Sequence, residues 1–295
     1  MKSSPFTLHR PTTVEEAVAL LAELADDGAL VLAGGQSLVP MMALRVAFPP
    51  DLVDINGIGA LSRIEATDGY LVIGALARHH DFRHAVAPAP LGALLTEVAS
   101  HIAHYPIRTR GTFCGSLAHC DPASEWCLTA ATFDAEIVLQ SASGIRRLPA
   151  SEFLDGAMST AREAEELLIE ARLPLPNPDS RWGFYEFNRR AGDFAIGAAL
   201  AGYRLDGGLM RDVRVGLGAI EEVPRRIAEA EAALEGREPS QEVFQAAADA
   251  ASAAVDPMED YATSADYRRD LAATVILRAL RAADAGTDGR KRTAA

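Results

Sequence analysis

Leu30-Val31-Leu32-Ala33-Gly34-Gly35-Gln36-Ser37-Leu38-Val39-Pro40 runs from a short apolar strand into two glycines and a hydroxyl residue. A second stretch of the same character follows far along the chain, Arg108-Thr109-Arg110-Gly111-Thr112-Phe113-Cys114-Gly115-Ser116-Leu117-Ala118-His119-Cys120-Asp121-Pro122. Glycine lets a backbone reach φ > 0 and approach a ligand closely, and successive N–H groups then converge on an anion. Two such loops from distant parts of one sequence predict one extended, diphosphate-bearing ligand held from two sides. Taken alone, the first loop reads equally well as a tight strand-to-helix turn, because Gly-Gly marks turns generally. Neither loop is G-x-G-x-x-G or G-x-x-x-x-G-K-[ST], which disfavours a Rossmann nicotinamide site and a P-loop.

Outward from the first loop, the first ten residues read as a short strand, with Phe6, Leu8 and Arg10 on one face. Thr12 or Thr13 caps a helix whose apolar face is Ala17, Val18, Leu20, Leu21 and Leu24, with Gly28 past its end. Helices are expected over 38–46, 78–85, 91–105 and 125–133, and strands over 29–33, 52–55, 70–73 and 135–140. The spacing lacks the regular alternation of a doubly wound sheet. Leu173–Ser180, with prolines at 174, 176 and 178, is the expected linker. Beyond it come strands (182–188, 195–205, 209–220) and then helices (226–235, 241–254, 264–283), the order of an α+β unit. The small, polar tail over 286–295 is expected to be disordered.

At 295 residues, 49% of them hydrophobic and 23% charged, the chain has an ordinary globular composition with room for two domains. A formal net charge of −13 argues against binding nucleic acid or an anionic membrane surface. No apolar run reaches spanning length and the N-terminus carries no signal-peptide pattern, so a cytoplasmic protein without membrane insertion is expected. Cys114, Cys120 and Cys127 match no iron–sulfur or C-x-x-C pattern.

Other groupings read more plainly as structure than as chemistry. His80 with His84, and His101 with His104, share helical spacing, but no Glu or Cys completes a zinc set. Ser116, His119 and Asp121 lack the nucleophile-elbow context of a catalytic triad and fall in the second loop. Glu163–Glu170 reads as a solvated helix face or turn. The pairs Arg189-Arg190 and Arg225-Arg226 read as surface charge, or as a docking site for an acidic partner.

Ala33–Leu38 with Pro40, Met41 and Arg45 resembles the first flavin loop of the FAD-binding medium subunits of molybdenum hydroxylases, the group of carbon monoxide and xanthine dehydrogenases. Arg110–His119 with Asp121, Pro122 and Glu125 resembles that family's second flavin loop. Arg189–Ala195 and Ser264–Arg269 resemble its later signatures, so the likeness spans nearly the whole chain in order. It implies an α+β protein: a two-subdomain, PCMH-type FAD domain over 1–176, then a smaller α+β domain over 177–285 with antiparallel strands followed by helices. Val31, Leu32, Ala33, Gly34, Gly35, Gln36, Ser37 and Leu38 would cradle the diphosphate and ribityl chain. Gly111, Thr112, Cys114, Gly115 and Ser116 would do so from the second loop, with His119 and Asp121 in the same motif. Ile102 and Ile169 would pack on flavin or adenine, Glu125 would lie near the ribose or adenine end, and Tyr185 and Glu186 would approach the isoalloxazine ring.

The sequence departs from the family at two places. Cys114 stands where the family has glycine, which is costly if that position needs φ > 0. Glu186 and Asn188 flank Phe187 where the family has a lysine. The resemblance further implies an electron-transfer flavoprotein with no catalytic acid or base and no metal of its own. Its partners would be an iron–sulfur small subunit carrying [2Fe–2S] clusters and a large subunit carrying the molybdopterin cofactor, as a dimer of heterotrimers, with NAD or another molecule as electron acceptor. The competing readings are a self-contained FAD-dependent oxidoreductase of the same superfamily and a scaffold protein that has lost FAD.

Overall fold

The computed structural model describes residues 2–261 and 263–286. The tail set apart from the sequence therefore lies outside the described residues except for Gly286. The chain forms two compact units: Met1–Asp81 with His104–Cys120 and Asp134–Pro174, and Phe82–Ala103 with Asp121–Phe133 and Leu175–Ala295.

The first unit holds two larger sheets and a two-stranded pair, Leu154–Gly156 with Ser159–Thr160. Thr7–His9, Asp51–Asp54 and Leu30–Leu32 form a parallel three-stranded sheet with Asp51–Asp54 in the middle. Beside them in sequence, the helix Val14–Leu24 buries Ala17, Val18 and Leu21. Its cap Thr13 accepts the Glu16 N–H at 3.1 Å, while Glu16 accepts the Thr12 N–H at 2.7 Å. The first bond satisfies a donor that a helix N-terminus otherwise leaves open, and the second ties the residue before the cap to the first turn.

The other sheet is antiparallel, in the order Ile64–Thr67, Tyr70–Gly74, Leu167–Pro174, Glu136–Ser141, Gly144–Pro149. Asp68 and Gly69 both take positive φ (50° and 79°), the geometry of a tight hairpin turn between the first two strands. The central strand, Leu167–Pro174, corrects two sequence expectations. It takes up the end of the acidic stretch, residues 167–170, while residues 163–165 form an exposed turn of the kind expected, and it carries Leu173 and Pro174, placed at the start of the linker. Leu173 is fully buried, and so nearly is Glu166, whose carboxylate accepts from Arg146 Nε and Nη2 at 2.8 and 2.6 Å. An acidic run can thus lead into a buried strand because its buried carboxylates are paired, Glu166 just before the strand with Arg146 and Glu170 within it with Arg63.

The second unit is built on an antiparallel meander of Arg181–Phe187, Gly197–Asp206, Leu209–Gly218 and Arg225–Arg226. Side chains alternate between its faces. On one face Ala199, Ala201, Tyr203, Val215 and Leu217 pack with the helices Ala228–Leu234, Gln241–Ala254 and Ala265–Asp284. Gly183 is required there, since a Cβ would lie 2.2 Å from the Ala279 carbonyl. The opposite face meets the helices Leu91–His101 and Glu125–Thr132: Trp182 stacks on Phe133 at 4.5 Å, Phe184 meets His101 edge-on at 5.1 Å, and Gly218 lies under Leu128.

Two predicted helices change form, and one predicted loop becomes helical. Residues 78–85 give only a 3₁₀ turn, His79–Arg83. The helix expected over 91–105 stops at His101, because Ala103 takes φ 41° and Pro106 opens a separate short turn, Tyr105–Arg108. Most of the second glycine loop is itself helical, Phe113–His119, capped by Thr112. Among the described residues no helix is long and apolar enough to cross a membrane.

Candidate functional site

In the first unit the two glycine segments touch. A Cβ on Gly34 would lie 2.5 Å from the Arg110 carbonyl oxygen and 2.7 Å from Gly111 Cα, so this approach of backbone to backbone admits only glycine. Gly35 takes φ +71° and turns the chain from the strand Leu30–Leu32 into the helix Leu38–Ala43. Among the described residues the N–H groups of Gly35, Gln36, Ser37 and Leu38 meet no acceptor, although Val39 and Met41 donate back to Gly35 and Ser37 at 3.1 Å each. Four consecutive open donors on a glycine turn have the chemistry of an anion cradle.

The second segment spends its donors differently. Thr112 Oγ1 accepts the Gly115 N–H at 3.0 Å, the Thr112 carbonyl accepts the Ser116 N–H at 3.1 Å, and the Ala77 carbonyl accepts the Phe113 N–H at 3.0 Å. The segment contributes shape and positive charge more than open N–H groups. Arg78, Arg108 and Arg110 gather around it, and burial together with Arg78 and Arg108 lowers His79 to about 4. His79 is therefore neutral near pH 7, and the arginines supply the charge.

Cys114 does not need φ > 0. It lies in the helix Phe113–His119, is 2% exposed, and its thiol donates to the Ile73 carbonyl at 3.4 Å. The expected cost of replacing glycine does not arise, because the position is α-helical. Burial raises the Cys114 thiol far above its ordinary range, with Glu170 adding to the shift. Ile169 sits at a bulge between Leu168 and Glu170, its carbonyl accepting from the Ala75 N–H at 2.9 Å. His119 ends the second helix, before Cys120 in the left-handed region.

Ile102, Asp121, Glu125, Tyr185 and Glu186 belong to the second unit. Ile102 is buried where the helix Leu91–His101 ends. Asp121 accepts the Ala123 N–H at 2.8 Å in the turn that leads to Ser124, the cap of the helix Glu125–Thr132. Tyr185 and Glu186 are consecutive on a strand and so face opposite sides of it. Tyr185 lies under the Arg278 guanidinium, 4.8 Å from the ring centroid, on the side of the C-terminal helix. Glu186 shares the other face with Trp182 and Phe184. It is 7% exposed, accepts from Asn188 Nδ2 at 2.8 Å through one oxygen, and buries the other without a partner among the described residues. Burial raises the carboxyls of Glu125 and Glu186 well above the ordinary range, and the charge of Glu186 raises Glu125 further. Like charges in one apolar setting favour a pair that keeps a proton.

Sequence reading missed the residues that join the two loops. Asn56 Nδ2 donates to the Ala33 carbonyl at 2.8 Å, and Asn56 Oδ1 accepts from Arg78 Nη2 at 2.5 Å. Arg78 Nη1 donates to the Arg110 carbonyl. Neither residue lies in a glycine motif, so no local pattern marks it.

The open N–H groups, the glycine-only contact and the surrounding arginines fit a dinucleotide diphosphate. Residues 4–176 match the model of the FAD binding domain in molybdopterin dehydrogenase, and residues 182–283 match the CO dehydrogenase flavoprotein C-terminal domain. The chain is 36% identical to the carbon monoxide dehydrogenase medium chain of Hydrogenophaga pseudoflava, over 94% of this chain and 96% of that one. It is 36% identical to the caffeine dehydrogenase subunit beta of Pseudomonas sp. (strain CBB1), over 96% and 97%. Its fold superposes on the structure of Hydrogenophaga pseudoflava carbon monoxide dehydrogenase lacking the Mo-pyranopterin moiety, with a TM-score of 0.91 and 38% identity over 97% of this chain and 99% of that one. With both of its halves matched, the chain belongs to the family of FAD-binding medium subunits of molybdenum hydroxylases.

Proposed function

We propose that this chain takes electrons from the [2Fe–2S] clusters of an iron–sulfur small subunit and passes them to NAD or another acceptor, in the cytoplasm. The assembly would include a molybdopterin-bearing large subunit and form a dimer of heterotrimers. The observation that supports this reading is the row of open N–H donors over Gly35–Leu38 beside Arg78, Arg108 and Arg110, a cradle for the FAD diphosphate. Bound FAD supplies a ring that accepts electrons singly or in pairs.

The chain's own work is then binding and tuning. Val31–Leu38 and Gly111–Ser116 would hold the diphosphate and ribityl chain, with Ile169, Ile102, His119, Asp121, Glu125, Tyr185 and Glu186 as the further contacts that the family likeness suggests. Domain limits at 176 and 285 belong to the same proposal. The test is anaerobic mixing of the FAD-loaded chain with its chemically reduced iron–sulfur partner. The account expects the flavin band near ~450 nm to bleach and NAD or an artificial acceptor to restore it. A band that stays unbleached in a complex shown to form by size exclusion would contradict the electron-transfer role.

A further inference from the structure

We infer that Asn56 and Arg78 are positioning residues that lock the two glycine segments into the spacing a dinucleotide needs. The inference rests on the FAD reading of that site. The bridge is continuous: Ala33 carbonyl to Asn56 Nδ2 at 2.8 Å, Asn56 Oδ1 to Arg78 Nη2 at 2.5 Å, and Arg78 Nη1 to the Arg110 carbonyl. Its two ends are the carbonyls just before Gly34 and Gly111, the residues in backbone contact. A trans peptide is planar, with its C=O and following N–H pointing opposite ways. Holding the Ala33 carbonyl toward Asn56 therefore turns the Gly34 N–H away from it.

Both bridge residues are themselves fixed. Asp54 Oδ1 accepts from Asn56 Nδ2 at 2.6 Å and from its N–H at 3.1 Å, while Asp81 accepts the Arg78 N–H at 2.8 Å. The backbone around Arg78 is pinned on both sides, by Phe113 N–H to the Ala77 carbonyl and His79 N–H to the Gly111 carbonyl, each 3.0 Å. The two bonds use separate nitrogens of one rigid guanidinium, whereas lysine offers a single nitrogen on a flexible stem, so Arg78→Lys keeps the charge and loses the fork.

The test is fluorescence titration with FAD of wild-type chain, Arg78→Lys, Asn56→Ala and the double variant, with the melting temperature of each ligand-free protein as a control. Each single variant is expected to raise the FAD Kd roughly tenfold. The double variant is expected to raise it no further, because one bridge cannot be broken twice. Wild-type Kd in Arg78→Lys would show that charge alone matters and overturn the inference, as would a double-variant effect equal to the product of the singles. If Asn56→Ala fails to fold, Asn56→Asp, which keeps an acceptor for Arg78 but loses the Nδ2 donor to both Ala33 and Asp54, is combined with Asp54→Asn so that no two carboxylates face each other, and gives the same comparison. A folded wild-type chain that binds no FAD would refute the cofactor reading itself rather than the bridge.

Discussion

Gly34→Ala perturbs the site at its tightest point. The added Cβ would sit 2.5 Å from the Arg110 oxygen, 2.7 Å from Gly111 Cα and 3.1 Å from the Arg110 carbonyl carbon. All three are backbone atoms, so no side chain can swing aside. Ordinary contact begins near 3.4 Å, which requires the two segments to part by about 0.9 Å. Such overpacking costs about 1–3 kcal/mol, whereas the entropic gain of alanine in the unfolded chain is only about 0.4–1 kcal/mol. Destabilisation wins. The melting temperature should fall by roughly 2–10 °C, and FAD affinity by about tenfold or more as the segments separate. Gly59→Ala is the control, since no atom lies within 4 Å of its added Cβ and its φ is ordinary. Wild-type melting and FAD affinity in Gly34→Ala would refute the close packing of the two loops.

Three further outcomes follow from the structure. Glu186→Gln should be more stable than wild type at pH 8 but not at pH 4, by about 1–3 kcal/mol in chemical denaturation. The sign comes from a raised carboxyl: the folded state holds the proton more tightly than the unfolded chain, so stability drains away as pH climbs above the ordinary value of 4.5. An equal gap at both pH values would contradict the buried pair. Arg268→Ala should cost about 2–4 kcal/mol in urea unfolding, because Arg268 is 4% exposed and donates to the Ile196 and Ala219 carbonyls and to Asp260; a loss below about 1 kcal/mol would sink that role. Cys114, Cys120 and Cys127, all buried, should resist Ellman's reagent in the native protein at pH 8 and react after unfolding; rapid labelling of folded protein would contradict their burial.

What the sequence made legible follows from which forces act locally. The helix behind Thr13 and the three strands after residue 180 were readable because caps and apolar periodicity are local signals. The strand Leu167–Pro174 was not, since its burial depends on the strands Tyr70–Gly74 and Glu136–Ser141, from two other parts of the chain. Glycine composition identified both loops but not the capped helix inside the second, which Thr112 at the N-cap announces. Cys114 would be strained only in a loop with φ > 0, and the helix Phe113–His119 removes that requirement. The Asn56–Arg78 bridge was invisible because each of its contacts joins residues more than twenty positions apart. Tyr185 and Glu186 fall on opposite faces of one strand, an alternation the motif by itself does not display.

The most direct test of the account is the visible spectrum of the purified chain after saturation with FAD and removal of excess, with the released cofactor identified and counted. The account predicts flavin bands near ~370 and ~450 nm, FAD released on denaturation in an equimolar ratio, and a Gly34→Ala chain depleted of both. A cooperatively folded wild-type chain that remains colourless after excess FAD would contradict the claim that these two glycine segments form its cofactor site.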